Sequence, residues 1–343
     1  MTLLDTSGMF DAAAALPEQL AVAARSASEV GGLPPGDAIA NVVLFGMGGS
    51  GLAGDVMTVV AGPFMPVPVV VHKGYGIPNF IGSDTLVFAV SFSGNTEETL
   101  EAATEAYMAG AHMVVVSGGG ALAQLAEEWA VPRVPIADGI PMPRAAPGAV
   151  AVPPLVVLER MGLFPGAHNW VAAAVAQLQL RRDELLKDGS SAAAMARRLE
   201  RQFPVIYGGG GIGAAAATRW KNQFNENAKV AAWHNVIPEL THNEICGWGQ
   251  HGDVTRQLFR VFELRHEFEH PQIARRFDFV NDVVSEVVAG IEVVDAAGDG
   301  PLAQLFDLMM IGDFVTLHAA AVAGIDPGPV PVLDDIKAAL AVD

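Results

Sequence analysis

Ser91-Phe92-Ser93-Gly94-Asn95-Thr96 sets three hydroxyl side chains within six residues, where a strand-like apolar run gives way to a helical stretch. A helix N-terminus carries unpaired N–H groups and the positive end of the helix dipole. Hydroxyls beside them complete a turn that holds a phosphate dianion with no basic side chain. The alternative is an ordinary helix cap by Ser93 or Asn95. A cap spends one hydroxyl, so three with a glycine among them favour the anion cradle. A second glycine-rich segment, Gly46-Met47-Gly48-Gly49-Ser50-Gly51, follows another strand-like run and matches G-x-G-x-x-G. The dinucleotide reading of that pattern needs an acidic residue about 20 positions on, to bind ribose hydroxyls. Val56 through Ser83 contains no Asp or Glu, and the second strand-like run ends in His72. NAD is therefore disfavoured, and close helix–strand packing accounts for the glycines under any ligand.

These loops need a scaffold, and the chain supplies one twice. Apolar runs at Asn41–Gly46, Val67–His72, Leu86–Ser91, Met113–Ser117 and Val131–Ile136 read as buried strands. Ser50 to about Val60, Thr96–Met108 and Ala121–Trp129 read as helices between them. Val/Ile/Leu runs without polar alternation suit a parallel sheet covered on both faces. The element order then gives a doubly wound α/β domain. Pro132–Pro154, rich in Pro, Gly and Ala, reads as a connection, and Ala167 to about Gln202 as helical. The pattern restarts with a strand at Phe203–Tyr207, a glycine loop at Gly208–Gly213 and a helix over Ala214–Lys229. Strands at Leu258–Leu264 and Ile291–Val294 flank a helix over Pro271–Val288, and Leu302–Ala323 reads as a long helix. The expected division is an N-terminal helical segment (1–37), a first α/β domain with the serine loop (38–160), connecting helices (161–202), a second α/β domain (203–325) and a tail helix (326–343).

Composition sets the outer bounds. Twenty Lys and Arg against 38 Asp and Glu give a net charge of −18, so nucleic acid is not expected as a partner. A small phosphorylated metabolite stays open, because charge beyond a Debye length of about 8 Å is screened. With 343 residues, 51% of them hydrophobic, a sizeable core over two domains is expected. The single cysteine, Cys246, cannot bridge within the chain and suits a reducing, cytoplasmic compartment. Asp5 and Asp11 stand where a basic leader would lie, and the longest uncharged runs are broken by Pro or Gly. Neither a secretory signal nor a membrane helix is expected.

The segments GMGGSG (46–51) and SFSGNTEET (91–99) resemble the sugar isomerase (SIS) domain, whose Ser/Thr-rich loop holds the phosphate of a phosphosugar. The resemblance implies a five-stranded parallel sheet of flavodoxin-like order, flanked by helices, in each domain. Four further segments narrow it: Pro143-Arg144, RWKNQFNENAK at 219–229, PELTHNE at 238–244, and Lys337 behind Asp326-Pro327. Together, from about Asn41 to Lys337, they resemble the bifunctional phosphoglucose/phosphomannose isomerase family.

That resemblance implies an aldose–ketose isomerase acting on glucose 6-phosphate, mannose 6-phosphate and fructose 6-phosphate through a cis-enediol. In such chemistry one carboxylate moves a proton between C1 and C2, and the family's base falls on Glu226. Arg144, permanently charged, matches the arginine beside the enediolate oxygen. His242 and Lys337 match the residues assigned to ring opening. Gly48, Gly49 and Ser50 match the loop over the sugar, and Ser91, Ser93 and Thr96 the phosphate loop. No cofactor or metal is implied: His234, His242 and His251 lack ligand spacing. Relatives pair as homodimers, with the histidine reaching the neighbouring subunit's pocket.

Taken singly, each residue has a plainer reading. Glu226 is then a solvated helix carboxylate paired with Lys229 or Lys221, His242 a capping or core histidine, Lys337 a surface residue, and Arg144 a tie between domains. Their joint occurrence behind a phosphate loop reverses this. A double-SIS phosphosugar sensor would keep the loop but has no need of a proton-transfer base. An aminosugar-phosphate enzyme would need an ammonia source or a deacylating domain.

Overall fold

The computed structural model describes residues 4–340. Helices α1 (Met9–Ala14) and α2 (Leu16–Glu29) precede a first sheet built from β1 (Asn41–Phe45), β2 (Val69–His72), β3 (Thr85–Ser91), β4 (His112–Ser117) and β5 (Arg133–Pro135). Between these strands lie α3 (Gly48–Val56), α4 (Glu97–Met108) and α5 (Gly120–Glu128). All pairings are parallel, in the order β2-β1-β3-β4-β5. Side chains alternate between the two faces of a strand. Here Val43, Phe45, Val87 and Ala89 pack under α4 and α5, while Val42, Leu44, Phe88 and Val90 face the core shared with α2 and α3. With both faces buried, no polar alternation survives in the sequence of β3, which is buried throughout.

Three helices follow, α6 (Pro147–Arg160), α7 (Ala167–Leu185) and α8 (Ser191–Leu199). The second sheet contains β6 (Phe203–Gly209), β7 (Trp233–Ile237), β8 (Phe259–Arg265) and β9 (Gly290–Asp295), in the parallel order β7-β6-β8-β9. Helices α9 (Gly210–Gln223), α10 (Gly252–Leu258), α11 (Pro271–Val284), α12 (Pro301–Ala323) and α13 (Pro331–Leu340) complete the chain. One continuous apolar core joins both sheets through α6, α7, α9 and α12.

Two expectations need correction. The stretch expected as a connection contains the first two turns of α6, whose residues from Pro147 to Leu158 are all buried despite Pro153 and Pro154 inside the helix. Burial outweighs the local cost of proline here. The second sheet has four strands among the described residues, where the resemblance implied five. One of the four, β7, escapes sequence reading because it is an edge strand of sequence WHNVI, with Trp233 and His234 exposed and only Ile237 buried. Helix α12 is long and apolar enough to span a bilayer by length and composition. Its apolar window is 83% buried inside the protein, so that surface serves as core. Its two aspartates are satisfied internally, Asp307 by Arg181 and Gln177, Asp313 by Arg219 and Gln223.

Glu263 on β8 is fully buried. Its Oε2 accepts from Asn281 Nδ2 at 3.3 Å, while its Oε1 and the Asn281 Oδ1 lack donors. Burial pushes its carboxyl up to about 7 from an ordinary 4.5. The folded state therefore holds a proton that the unfolded chain releases, and stability present near pH 5 is lost as pH rises through 7. The loss is bounded at about 3 kcal/mol. In Glu263→Gln, urea midpoints between pH 5 and 8 are expected to lose this descending component; an unchanged slope would contradict it.

Candidate active site

The serine loop links β3 to α4. Ser91 is fully buried; its Oγ meets Thr96 Oγ1 at 2.9 Å and accepts from the Gly94 N–H at 3.1 Å. Ser93 Oγ accepts from the Asn95 N–H at 3.2 Å. Asn95 Oδ1 accepts from the Ala121 N–H at 3.0 Å, so this side chain serves α5. No side chain caps α4. The ordinary-cap reading fails on this point: the first-turn N–H groups of α4 are left for an external acceptor, with Ser93 and Thr96 at the open side. Glu97 and Glu98 occupy the same turn, so the loop offers N–H and O–H donors without any net positive charge.

Gly94 holds a left-handed φ of 71°, and a Cβ there would lie 1.7 Å from the Gly119 carbonyl oxygen. Gly94→Ala must open the loop. Its KM for a hexose phosphate is expected to rise at least about tenfold. Steady-state kinetics with circular dichroism as the folding control would show this, and an unchanged KM would place the phosphate elsewhere.

Direct contacts lead from this loop to the charged centre. Ser50 is buried, and its Oγ accepts from the Phe92 N–H at 3.0 Å, tying the glycine loop to the serine loop. Gly48 and Gly49 open α3 beside it. A Cβ on Gly49 would lie 2.8 Å from the Pro143 carbonyl, so only glycine allows this approach to Pro143-Arg144.

Arg144 is 5% exposed. Its Nε donates to Asn227 Oδ1 at 2.9 Å, and its Nη2 to the Pro327 and Gly328 carbonyls at 2.6 and 2.7 Å. Nη1 is left facing Glu226 Oε2 at 3.6 Å. Three fixed acceptors therefore orient the guanidinium and leave one end for a substrate oxygen. Burial pulls Arg144 below its usual value, with Glu226 opposing. Glu226 sits on a wide helical turn, Phe224–Ala228, that ends at Lys229 in a left-handed conformation. Lys229 Nζ bonds the Glu226 carbonyl at 2.5 Å and the Pro327 carbonyl at 3.2 Å, and burial, then Arg144, lower its affinity for its proton.

A chain of contacts thus links Arg144 and Glu226 to the loops at 48–50 and 91–96. His242 and Lys337 are not joined to it. His242 is exposed at the end of a short turn after β7, and Lys337 lies on α13, where every residue is exposed. The segment leading into α13 is nonetheless the one that Arg144 grips. Among the described residues, no three His, Cys, Asp or Glu side chains group as a metal site.

Sequence reasoning missed the support under Arg144. Arg219 Nη2 donates to the Arg144 carbonyl at 3.0 Å and to Asp313 Oδ2 at 2.7 Å; Gln223 reaches Asp313 Oδ1 at 2.8 Å; Asn227 Nδ2 reaches Thr316 Oγ1 at 3.0 Å. The signal was present, since 219, 223 and 227 recur at helical spacing within one segment. In the second sheet the turn after β8 is spent internally. Glu269 bonds Arg265, Glu267 bonds Gln304, and His270 caps α11. Of the two turns, the one after β3 leaves its helix without a side-chain cap and the one after β8 does not.

Residues 39–139 match the SIS domain family model, and 189–340 match the bacterial phospho-glucose isomerase C-terminal SIS domain. With the two parallel sheets, these define a tandem SIS-domain protein. A bifunctional phosphoglucose/phosphomannose isomerase of Caldicellulosiruptor bescii is 34% identical, covering 97% of this chain and 99% of that one. Its counterpart in Thermoplasma acidophilum is 33% identical over 87% and 88%. The chain belongs to the bifunctional phosphoglucose/phosphomannose isomerase family. Among solved structures, the C-terminal domain of glucosamine-fructose-6-phosphate aminotransferase from Francisella tularensis superposes with a TM-score of 0.72 at 13% identity, over 94% of this chain and 98% of that one. Tagatose-6-phosphate ketose/aldose isomerase from Escherichia coli gives 0.64 at 14%, over 84% and 85%. These two likenesses speak to the fold alone.

Proposed function

We propose that the chain is an aldose–ketose isomerase interconverting glucose 6-phosphate and/or mannose 6-phosphate with fructose 6-phosphate. The observation that carries this is the pairing of Glu226 with the open end of Arg144, linked by contacts through Pro143, Gly49 and Ser50 to the hydroxyl loop before α4. The phosphate sits on Ser93, Thr96 and the first-turn N–H groups of α4, with Ser91 shaping the loop and Gly48, Gly49 and Ser50 over the sugar. Glu226 takes the C2 proton of the open-chain aldose while O1 gains a proton, giving the enediol. Returning the proton to C1, with loss of the O2 proton, gives the ketose. Arg144 stabilises negative charge on the enediolate oxygen throughout.

Coupled assays on glucose 6-phosphate and mannose 6-phosphate, with a chelator present, test this. Turnover of at least one is expected, and binding without turnover of either would favour a phosphosugar sensor.

The same reading places the enzyme in the cytoplasm as a homodimer with shared sites. Exposed His242 is supplied by the neighbouring subunit, and Lys337 assists ring opening when α13, with Val332, Leu333 and Ile336 exposed, packs within the assembly. Mixing Glu226→Gln chains with His242→Ala chains is expected to restore activity that neither shows alone. Mixed dimers without recovery would refute a shared site.

A further inference from the structure

His242 projects from a turn that is held on both sides of it along the chain. Leu240 is fully buried in the cluster that contains Tyr207 and Ile237 of the second sheet. Asn243 Nδ2 donates to Glu239 Oε1 at 2.7 Å. Thr241 Oγ1 donates to the Pro238 carbonyl at 2.6 Å and accepts from Arg276 Nη1 of α11 at 2.5 Å. Of the polar side chains from Glu239 to Glu244, the exposed His242 imidazole is the one these bonds leave out.

Glu244 anchors this turn to the sheet. Tyr207 on β6 and Asn235 on β7 are register partners. The Tyr207 hydroxyl donates to Glu244 Oε1, and Asn235 Nδ2 donates to Glu244 Oε2 at 2.7 Å. Both donors are themselves oriented. Trp248 Nε1 donates to the Tyr207 hydroxyl oxygen at 3.0 Å, and Asn235 Oδ1 accepts from the Val236 N–H at 2.7 Å. Burial, then the Glu244 charge, raise the Tyr207 phenol above its usual value, so it keeps the proton it donates. Two oriented donors therefore end on one carboxylate, a group that only accepts. The tie spans β6 and β7 and lies two residues from His242.

We propose that Glu244 is the positioning residue of His242, fixing the turn so that the imidazole meets the neighbouring subunit already in place. On a loosely held loop an exposed side chain samples many directions, and a misplacement of about 1 Å can cost a reaction about 10²-fold. The proposal rests on the reading of His242 as part of a shared site.

Glu244→Gln keeps the size of the side chain but sets an amide NH₂ against one of the two donors. Its kcat for glucose 6-phosphate is expected to fall at least about tenfold, with KM within about threefold. Tyr207→Phe, which removes one donor and keeps the ring, is expected to lower kcat as well; circular dichroism is the folding control for both. Mixed dimers separate positioning from a general structural loss. Glu244→Gln chains mixed with Glu226→Gln chains are expected to regain activity, because one shared site then combines an intact carboxylate with an intact His242 turn. Mixed with His242→Ala chains, they are expected to regain none. Recovery with both partners, or with neither, would overturn the proposal where Glu226→Gln and His242→Ala chains complement each other. A kcat within about twofold of wild type in Glu244→Gln, with His242→Ala inactive, would overturn the positioning alone and leave His242 in its role. Failure of Glu226→Gln and His242→Ala to complement, or wild-type kcat in His242→Ala, would strike the shared-site reading and the positioning with it.

Discussion

Glu226→Gln is expected to lower kcat for fructose 6-phosphate by at least about 10³-fold while KM stays within about threefold. Glutamine keeps the shape of the side chain and can still accept from Arg144, but it cannot carry the proton. Binding survives because the phosphate is held by a separate loop. The competing view makes Glu226 a solvated helix carboxylate paired with a lysine. The geometry speaks against that: Lys229 bonds the Glu226 backbone carbonyl, Lys221 bonds Asn222, and the carboxylate faces the buried Arg144 instead. Retention of a tenth of wild-type kcat would return Glu226 to the solvated role.

Asp313→Ala is expected to cost about 3–5 kcal/mol of stability, because it strands a buried guanidinium without its counter-ion. Asp313 and Arg219 are 4% and 5% exposed and meet at 2.7 Å, and Arg219 in turn holds the Arg144 carbonyl. Such a loss is a large share of the marginal stability of a folded chain. Residual folded protein is expected to show depressed kcat as well, since Arg144 loses a support. Urea unfolding measures the first effect; a change below about 1 kcal/mol would mean that the pair is structurally dispensable.

The centre of the first sheet was readable because β1, β3 and β4 are buried on both faces, so runs such as TLVFAVS and HMVVVS stand out from their surroundings. Edge strand β7 was not, because half-exposed positions admit His234 and Asn235 among the apolar residues. Helix α6 was hidden by its prolines, whose local signal says loop while its burial says core. The serine loop was legible as a local motif. What the sequence did not reveal is that Asn95 caps the neighbouring helix and leaves α4 open. The environment of Arg144 was out of reach, since its partners Asn227, Pro327 and Gly328 lie 83 to 184 residues away. Local patterning reports periodicity and turn chemistry, whereas a buried ion network is assembled only by the tertiary fold.

A crystal structure with fructose 6-phosphate bound would test the central claim most directly. It is expected to show phosphate oxygens within hydrogen-bond distance of Ser93, Thr96 and the first-turn N–H groups of α4, with the Glu226 carboxylate against C1 and C2 and Arg144 Nη1 on a neighbouring oxygen. A phosphate seated away from the serine loop, or a Glu226 carboxylate turned from C1 and C2, would contradict the account.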